Sequence, residues 1–375
     1  MKNKIAQAGL HLGITERAAT SRTLPGSVYI DQAVFERERE AIHFRNWHYA
    51  GGIQELAKPG DYVTARILDQ TIIVIRGKDQ EIRGFYNVCQ HRAHELLRGR
   101  GRVNMITCPY HAWTYAVDGR FNGARGTALL PNFENSAFNL KPIRVEVFAK
   151  KWIFFNLDPD AAPLAEIAAG LAEDIAGNVP AFDELEVAPG LVTAEIQANW
   201  KVTVDNYLEC YHCRTAHPAL ASLMDLRSFK VDVHEHWMSH KANMGRPDNT
   251  AYPIHPDAAN TRTLWWWLWP TTTFNVMPGS AEISVFSFFP LSVASTLQSG
   301  QRFALPGDKV DEARERYRNG PLTDEDVALV ESVQRGLNSR GYGAGRFIDD
   351  DEGLEISERA THRFHRLVAQ ALELP

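Results

Sequence analysis

The chain has 375 residues, of which 44% are hydrophobic and 23% are charged, a composition typical of globular proteins. Its formal net charge of -6 excludes a large basic surface for nucleic acid, and the lack of a long apolar run excludes a membrane span. The N-terminal residues contain no continuous hydrophobic signal core, so we expect a cytoplasmic protein. The length exceeds that of one compact core and predicts two domains.

Short β-rich runs separated by Gly, Asp and Pro turns occupy the chain from Asn46 to Asn156. They predict an antiparallel β-domain, which we place at 45–157. The following segment, DPDAAPL, is typical of an interdomain linker, and helical periodicity begins after it. We therefore expect a second domain at 158–375, with the N-terminal segment 1–44 packing on it.

Two cysteine–histidine pairs lie in predicted loops of the β-domain. One residue separates Cys89 from His91, two separate Cys108 from His111, and sixteen lie between the pairs. Two thiolates and two imidazoles in this order suit a Rieske [2Fe-2S] cluster, in which the cysteines hold one iron and the histidines the other. A structural zinc site is the alternative, although zinc modules usually open with two closely spaced cysteines.

A helix is predicted from Trp200 to His212. On it, Asp205, Glu209 and His212 stand at positions i, i+4 and i+7 and share one face. Burying that face is costly unless it serves a metal or a polar network. The remaining two cysteines of the chain, in the Cys-Tyr-His-Cys run that ends at residue 213, are expected to pack as thiols in a reducing compartment rather than form a redox pair.

A second metal site is predicted where this helix ends. His217 lies five residues after His212, so the helix must end or bulge before Pro218 if both imidazoles are to reach one ion. An oxygen-activating Fe(II) site needs two histidines and one carboxylate, and leaves other positions free for O2 and substrate. The local spacing leaves the carboxylate open among Asp324, Asp326, Asp349, Asp350 and Asp351.

Four tryptophans lie in one predicted strand of the second domain. A second aromatic strand follows this strand in the sequence. Trp265, Trp267 and Trp269 alternate, so a strand places them on one face. Aromatic faces in a pocket attract quaternary ammonium cations by cation–π contacts, whereas packing in the core is the alternative for each ring. We take these three tryptophans as candidate substrate-binding residues.

Two amphipathic helices are predicted at the C-terminal end. The first starts at Thr323 with a capping-box pattern, which places Asp326 in its first turn, where a carboxylate is favoured by the helix dipole. The second carries one apolar stripe. Its members are Ile356, Ala360, Phe364, Leu367, Val368 and Leu372.

Three blocks together resemble the α subunit of a Rieske non-heme iron oxygenase over almost the whole chain. They are the C-x-H and C-x2-H loops, the NWK…DNYLECYHC…HP block, and the EDVALVESVQRGLNS helix. The resemblance implies an α+β fold, with an antiparallel β Rieske [2Fe-2S] domain and a catalytic domain built on a helix-flanked antiparallel sheet. It also implies a head-to-tail homotrimer and a separate flavin and iron–sulfur reductase that supplies electrons from NADH.

The same resemblance assigns roles to particular residues. His212, His217 and Asp326 match the ligands of the mononuclear iron, with Asp324 in reserve. Family members usually carry an aspartate three residues before the first iron histidine, and it bridges to a Rieske histidine of the neighbouring subunit. Glu209 occupies that position here, and His111 would be the ligand it approaches.

The segment NYLECYHC resembles the corresponding segment of the family branch that oxidises quaternary ammonium compounds. We therefore expect O2-dependent N-demethylation, C-hydroxylation or cleavage of a betaine or carnitine-like substrate, with Glu209 and Asp205 as candidate catalytic carboxylates. An aromatic-ring or aryl-ether oxygenase is the alternative within the family. Outside it, the alternative is an electron-transfer or zinc-stabilised binding protein. The sequence leaves the exact substrate, and monooxygenase or dioxygenase chemistry, open.

Overall fold

The structure is a computed structural model that describes residues 13–246, 248–350 and 352–374, without the side chains of 190–192. The first twelve residues of the predicted N-terminal segment, and the candidate ligand Asp351, lie outside the described residues. Within the described part of the chain, no helix is long and apolar enough to cross a membrane.

The chain forms two compact units, Phe44–Glu166 and the combination of Met1–His43 with Ile167–Pro375. The helices α1 to α10 are Ser27–Ile30, Gln32–Glu38, Leu164–Ile167, Leu171–Asn178, Trp200–Tyr207, Cys213–Ala216, Pro218–Leu223, Glu312–Tyr317, Thr323–Leu337 and Arg359–Ala371. The strands β1 to β10 are His48–Gly52, Asp61–Ile67, Gln70–Arg76, Ile82–Tyr86, Arg100–Arg102, Ile106–Thr107, Thr114–Tyr115, Phe121–Gly123, Pro142–Phe148 and Trp152–Asn156. The strands β11 to β17 are Glu186–Ile196, Lys230–Val233, Trp237–Asn243, Arg262–Leu268, Thr272–Val276, Glu282–Ser292 and Ser295–Ala304.

Antiparallel pairing dominates both units. The first contains a seven-stranded sheet in the order β1-β10-β9-β4-β3-β2-β5 and a small sheet β6-β7-β8. The second contains a seven-stranded sheet in the order β11-β17-β16-β15-β14-β13-β12, accompanied by helices α4 to α10. The predicted α+β class with two antiparallel β regions is therefore confirmed.

The predicted linker packs on the β-unit that precedes it. Trp47 Nε1 donates to Ala162 O at 3.0 Å, and the backbone N–H of Leu164 donates to a carboxylate oxygen of Glu146 at 2.9 Å. These contacts hold residues that the sequence assigned to the second domain, and they explain why the unit extends to Glu166 rather than to residue 157.

The described N-terminal residues pack against helices α5 and α10 of the same compact unit. Glu38, at the end of α2, forms an ion pair of 2.6 Å with Lys201 in α5, and both side chains are fully buried. Glu38 also accepts from Trp200 Nε1 at 2.9 Å. Earlier in the chain, the N–H of Leu24 donates to His365 Nδ1 in α10 at 2.9 Å. Polar contacts thus join the start of the chain to helices α5 and α10.

The predicted helix over 200–212 is too long. Helix α5 begins after the N-cap residue Asn199 and ends at Tyr207, where the imidazole of His240 donates to Leu208 O at 3.1 Å. Because that carbonyl lies at a helix C-terminus, it has no partner within the helix. Glu209 therefore lies beyond α5 and does not share a helix face with Asp205.

The turn after α5 contains a further difference from prediction. Cys210 and Cys213 form a disulfide, with their Cα atoms 4.9 Å apart, where the sequence predicted packed thiols. The N–H of Cys213 donates to Cys210 O at 3.0 Å, and this tight turn brings the two sulfurs together. At the C-terminal end, α9 begins at Thr323 as predicted, whereas Ile356 lies before α10 and is 38% exposed, outside the buried stripe.

Candidate active site

The two cysteine–histidine loops have the same backbone arrangement. In each, the N–H of the cysteine donates at 2.8 Å to the carbonyl five residues later, and its carbonyl accepts at 3.0 Å from the N–H four residues later. That fourth residue, Ala93 after Cys89 and Ala112 after Cys108, has a left-handed φ of +57° or +56°. The two loops are thus equivalent turns, although the histidines stand at different distances from the cysteines.

Buried sulfur and exposed imidazole distinguish the two halves of this site. Cys89 and Cys108 are each 2% exposed and belong to the core of the β-unit. His91 and His111 are exposed, with ring centroids 4.8 Å apart, and His91 stacks on Trp113 at 4.7 Å. A Rieske cluster needs two thiolates on one iron and two imidazoles on the other, and this arrangement fits it.

A buried phenol supports the inner half of the site. Tyr115 Oη accepts from the N–H of Gln90 at 2.9 Å and lies 3.3 Å from Cys89 Sγ. Because its lone pair faces that N–H, the hydroxyl proton is free to donate to the sulfur. Burial raises the pKa of Tyr115, so the phenol stays protonated and remains a donor.

Three side chains of the unit that contains Ile167–Pro375 converge on one point. The potential ligand atoms of His212, His217 and Asp326 all lie within 4.8 Å of one another. His217 Nε2 is 2.9 Å and His212 Nε2 is 3.8 Å from Asp326 Oδ1. His212 is the N-cap of α6, His217 lies between α6 and α7, and Asp326 is in the first turn of α9. Two imidazoles and one carboxylate match the donor set of a non-heme Fe(II) site.

A second carboxylate lies behind each imidazole. Glu209 Oε1 is 2.5 Å from His212 Nδ1, and Glu325 Oε2 is 2.7 Å from His217 Nδ1. When each Nδ1–H donates to its carboxylate, the Nε2 lone pairs are left to face the metal position. Burial alone lowers the pKa of His217, but Asp326 and Glu325 outweigh it and raise the pKa above its ordinary value.

Sequence reasoning missed two partners of this centre. Glu325 directly precedes Asp326, and a search for carboxylates beside each proposed ligand could have found it. Asn206 Nδ2 donates to Asp326 Oδ1 at 2.7 Å and fixes the orientation of that carboxylate. No local pattern distinguishes Asn206, because 120 residues separate the two partners.

The other candidate carboxylates lie elsewhere. Asp205 accepts from Tyr29 Oη at 2.7 Å and bonds to His365 Nε2 at 2.9 Å, so it does not join the three converging residues. Asp324 is exposed at the start of α9. Asp349 accepts a hydrogen bond from the Arg359 side chain, and Asp350 accepts one from the backbone N–H of Gly353. Both aspartates thus stabilise the loop that precedes α10. Of the described aspartates considered from sequence, the structure brings Asp326 to the histidines.

A cavity of about 160 Å³ opens beside the converging residues and has an aromatic wall. Tyr207 lies 6.2 Å from Phe286 and 6.1 Å from Phe288, and the two phenylalanines lie 5.5 Å apart between ring centroids. The interplanar angles are 84°, 68° and 79°, so the three rings stand nearly perpendicular to one another. We call Tyr207, Phe286 and Phe288 the aromatic wall.

Comparison with known families gives two matches along the chain. Residues 46–134 match the Rieske [2Fe-2S] domain, and residues 182–374 match the catalytic domain of the ring-hydroxylating α subunit. The chain belongs to the Rieske oxygenase α-subunit family. This family implies a [2Fe-2S] cluster, a non-heme iron, a partner reductase and a small-molecule substrate.

Individual relatives of this oxygenase cover nearly the whole chain. The carnitine monooxygenase oxygenase subunit of Acinetobacter baumannii is 39% identical over 353 residues, 93% of this chain and 94% of the relative. A solved quaternary ammonium Rieske monooxygenase bound to L-carnitine is 38% identical, covers 95% of this chain and 97% of its own, and has a TM-score of 0.85. Another structure, described for carnitine oxidation and inter-subunit electron transfer, is 36% identical with 95% and 96% coverage and a TM-score of 0.88.

Family membership decides between the classes of function left open by the sequence. The relatives are oxygenase subunits, so the chain is an oxidoreductase and not a zinc-stabilised binding protein or a simple electron carrier. The predicted resemblance to the branch that acts on quaternary ammonium compounds is confirmed at the level of the relatives.

The predicted substrate role of the tryptophans needs correction in this oxygenase. Trp265 lines the cavity, but Trp267 and Trp269 are buried and pack on Phe364 of α10 at 5.6 Å and 6.1 Å. Helix α10 covers this part of the sheet, so these two rings fill the core. Alternation along a strand identifies a shared face but not the element that covers each part of it.

Proposed function

We propose that this chain is the oxygenase subunit of a two-component monooxygenase that oxidises a quaternary ammonium carboxylate, such as carnitine or a related betaine. The observation that carries the proposal is the aromatic wall of Tyr207, Phe286 and Phe288 beside His212 and its neighbouring ligands. Its relatives include a carnitine monooxygenase oxygenase subunit and a structure with L-carnitine bound.

The wall suits a trimethylammonium group because of its geometry and charge. Tyr207, Phe286 and Phe288 all line the cavity, and a cation held over the face of an aromatic ring gains about 0.5 to 2 kcal/mol. Burial raises the pKa of Tyr207 well above its ordinary value, so its ring stays neutral. The Tyr207 hydroxyl donates to Asn275 Oδ1 at 2.8 Å, which anchors the ring at the cavity wall.

We assign the metal ligands from the same geometry. His212, His217 and Asp326 would hold Fe(II), which supplies O2 activation when bound. Glu209 and Glu325 hold the two imidazoles with Nε2 toward the metal position. In the overall reaction, one oxygen atom enters the substrate, the other leaves as water, and NADH supplies two electrons through the reductase. Hydroxylation of an N-methyl carbon gives a hemiaminal, which releases formaldehyde and the demethylated amine.

The electron path follows the carboxylate next to His212. The [2Fe-2S] cluster would be held by Cys89, His91, Cys108 and His111, and electrons would leave it through His111. In a head-to-tail homotrimer, Glu209 receives the histidine of the neighbouring subunit, which supplies a short hydrogen-bonded connection. The 2.5 Å contact between Glu209 and His212 Nδ1 supports the half of this path that lies within one chain.

Substitution of Glu209 tests the path. Glu209→Gln keeps an acceptor for His212 but removes the charge, so both metals should stay bound while turnover falls about 10- to 100-fold. Iron content, the visible spectrum of the cluster and single-turnover electron transfer separate this outcome from metal loss. Unchanged electron transfer in Glu209→Gln would remove the residue from the path.

A substrate panel tests the function itself. The purified oxygenase is combined with a flavin and iron–sulfur NADH reductase. The mixture is then supplied with carnitine, γ-butyrobetaine, glycine betaine, benzoate or an aryl methyl ether. We expect NADH and O2 consumption coupled to product with a quaternary ammonium carboxylate and not with the aromatic acids. Coupled turnover of benzoate or the ether, without turnover of the betaines, would support the aromatic-ring or aryl-ether alternative instead.

A further inference from the structure

An arginine-rich cluster lies at the edge of the substrate cavity, away from the metal ligands. It comprises Arg302, Arg314, Arg318, Glu282 and Glu315, which we call the arginine cluster. Glu282 pairs with Arg302 at 3.2 Å, with Arg314 at 2.7 Å and with Arg318 at 3.4 Å. Glu315 adds a contact of 2.7 Å to Arg318.

The charges of this cluster do not balance. Three guanidinium groups face two carboxylates, so the cluster carries one surplus positive charge when all five groups are ionised. Burial raises the pKa of Glu282 against the lowering effect of the three arginines, and burial lowers the pKa of Arg318. Asp311 accepts from the backbone N–H of Arg314 at 3.0 Å and is not among the ion pairs of the cluster. Because the guanidinium groups of the cluster outnumber its carboxylates, a further anion is favourable there.

Arg318 is the member of the cluster that lines the cavity. Its side chain is 14% exposed, compared with 6% for Arg302 and 3% for Arg314. Its described hydrogen bonds go from Nη1 to Ser284 and Glu282 and from Nη2 to Glu315. These use three of the five N–H donors of a guanidinium group, which leaves donors for a further acceptor.

Strand β16 sets the distance between this arginine and the aromatic wall. Ser284, Phe286 and Phe288 alternate along β16, lie on one face and all line the cavity. Two residues along a strand span about 7 Å, so the Ser284 position, where Arg318 binds, lies one such step from Phe286. A molecule lying along this face meets cation-binding rings at one end and a guanidinium group at the other.

We propose that Arg318, supported by Ser284, is the carboxylate subsite of the cavity and makes this oxygenase selective for zwitterions whose carboxylate is several carbons from the quaternary nitrogen. The inference rests on the proposed function and deepens it. The aromatic wall binds the ammonium group, whereas Arg318 binds the carboxylate at the opposite end of the substrate. Together they fix which carbon lies next to His212 and His217. Arg318 is thus a specificity-determining residue.

A matched pair of substrates tests the subsite in the wild-type enzyme. γ-Butyrobetaine and (4-hydroxybutyl)trimethylammonium have the same chain and ammonium group but differ in the carboxylate. We expect kcat/KM for the acid to exceed that for the alcohol by on the order of 10²-fold, since an unpaired buried charge costs binding free energy. Equal kcat/KM values would overturn the subsite and leave the proposed function intact, whereas turnover of neither compound, together with no turnover of carnitine or glycine betaine, would overturn both.

Substitutions then locate the selectivity. Arg318→Gln should lower kcat/KM for γ-butyrobetaine on the order of 10²-fold and leave the alcohol unchanged, and Arg318→Lys should recover part of the loss because the charge returns without the planar fork. Arg302→Gln removes the same charge from the same cluster but does not line the cavity, so the acid-to-alcohol ratio should stay at its wild-type value. Calorimetric binding of γ-butyrobetaine provides a readout independent of turnover.

Two results would contradict the role of Arg318. An equal loss with acid and alcohol in Arg318→Gln indicates a structural role for the cluster. The same loss of selectivity in Arg302→Gln indicates a general effect of charge rather than a subsite. Circular dichroism and thermal unfolding of each variant establish that it is folded, and if Arg318→Gln does not fold, the Arg318→Lys variant and the wild-type substrate pair decide the question.

Discussion

Glu325 accepts a hydrogen bond from His217 Nδ1 at 2.7 Å while the Nε2 atom of the same ring lies 2.9 Å from Asp326. The imidazole is therefore held between two consecutive residues of α9. Because the first turn of one helix supplies both groups, the orientation of His217 and the position of Asp326 are coupled. On the other imidazole, Glu209 Oε1 likewise lies 2.5 Å from His212 Nδ1.

This relationship predicts a role for Glu325 in metal binding. Glu325→Gln weakens the support of His217 and should lower the affinity for the mononuclear metal about 10- to 100-fold, without loss of the cluster. Metal titration of the apo site measures the effect. Asp324→Asn is the matched control, since Asp324 is exposed on the same helix turn. Loss of metal in Asp324→Asn, with Glu325→Gln unaffected, would reverse the assignment of these residues.

The hydrogen bond between Tyr115 and Cys89 predicts an effect on the reduction potential of the [2Fe-2S] cluster. A donor to a cluster sulfur stabilises the reduced, more negative state, so Tyr115→Phe should lower the reduction potential of the [2Fe-2S] cluster. Protein-film voltammetry or a dye-linked titration measures this potential. Tyr86→Phe, at a half-buried phenol of β4 in the same unit, provides the control and should leave it unchanged. A potential unaltered by Tyr115→Phe would mean that the 3.3 Å contact has no electronic role.

The buried pair of Glu38 and Lys201 predicts a large loss of stability. Glu38→Ala leaves an unpaired ammonium group in the core and should lower the free energy of unfolding by about 3 to 5 kcal/mol. Burial already lowers the pKa of Lys201, which shows that its environment opposes the charge. Urea unfolding followed by tryptophan fluorescence provides the measurement.

A double substitution distinguishes the lost ion pair from lost packing. Replacing Glu38 by Leu and Lys201 by Met removes both charges and should recover part of the stability lost in Glu38→Ala, because no unpaired charge remains. A double variant that is no more stable than Glu38→Ala would show that the pair contributes through its shape and the bond to Trp200, not through charge.

His240 predicts a dependence of stability on pH. Burial lowers its pKa to about 4, against the opposing effects of Leu208 O and Asp232. The unfolded chain binds this proton near pH 6.5, whereas the folded chain does not, so the free energy of unfolding falls as the pH drops from about 6.5 to about 4. The shift corresponds to about 3 kcal/mol in total.

The comparison of His240→Gln with the wild type isolates this contribution. Both proteins are unfolded with urea at several pH values between 4 and 7.5. The variant keeps a donor for Leu208 O but has no titrating group, so its free energy of unfolding should decrease less on acidification. Parallel pH profiles for the two proteins would show that His240 does not titrate differently in the folded and unfolded states.

The amino-acid sequence by itself identified most of the residues that the structure brings together at the two candidate metal sites. The two Cys–His pairs, His212 and His217 could be predicted because ligand chemistry restricts residue type and spacing within one loop or turn. The β-rich and helix-rich halves could be predicted because hydrophobic periodicity is a local property. Pro218 likewise showed that the chain must change direction at His217.

Only the tertiary structure decided which distant residues complete the sites. Glu325 contacts His217, and Asn206 contacts Asp326. Trp265 lines the cavity, whereas Trp267 and Trp269 pack on Phe364 of α10. The end of α5 at Tyr207 depends on His240 as well as on local sequence. The surplus charge at Arg318 likewise arises from side chains on two strands and one helical segment. Contacts between residues far apart in the chain depend on packing, and no local pattern records them.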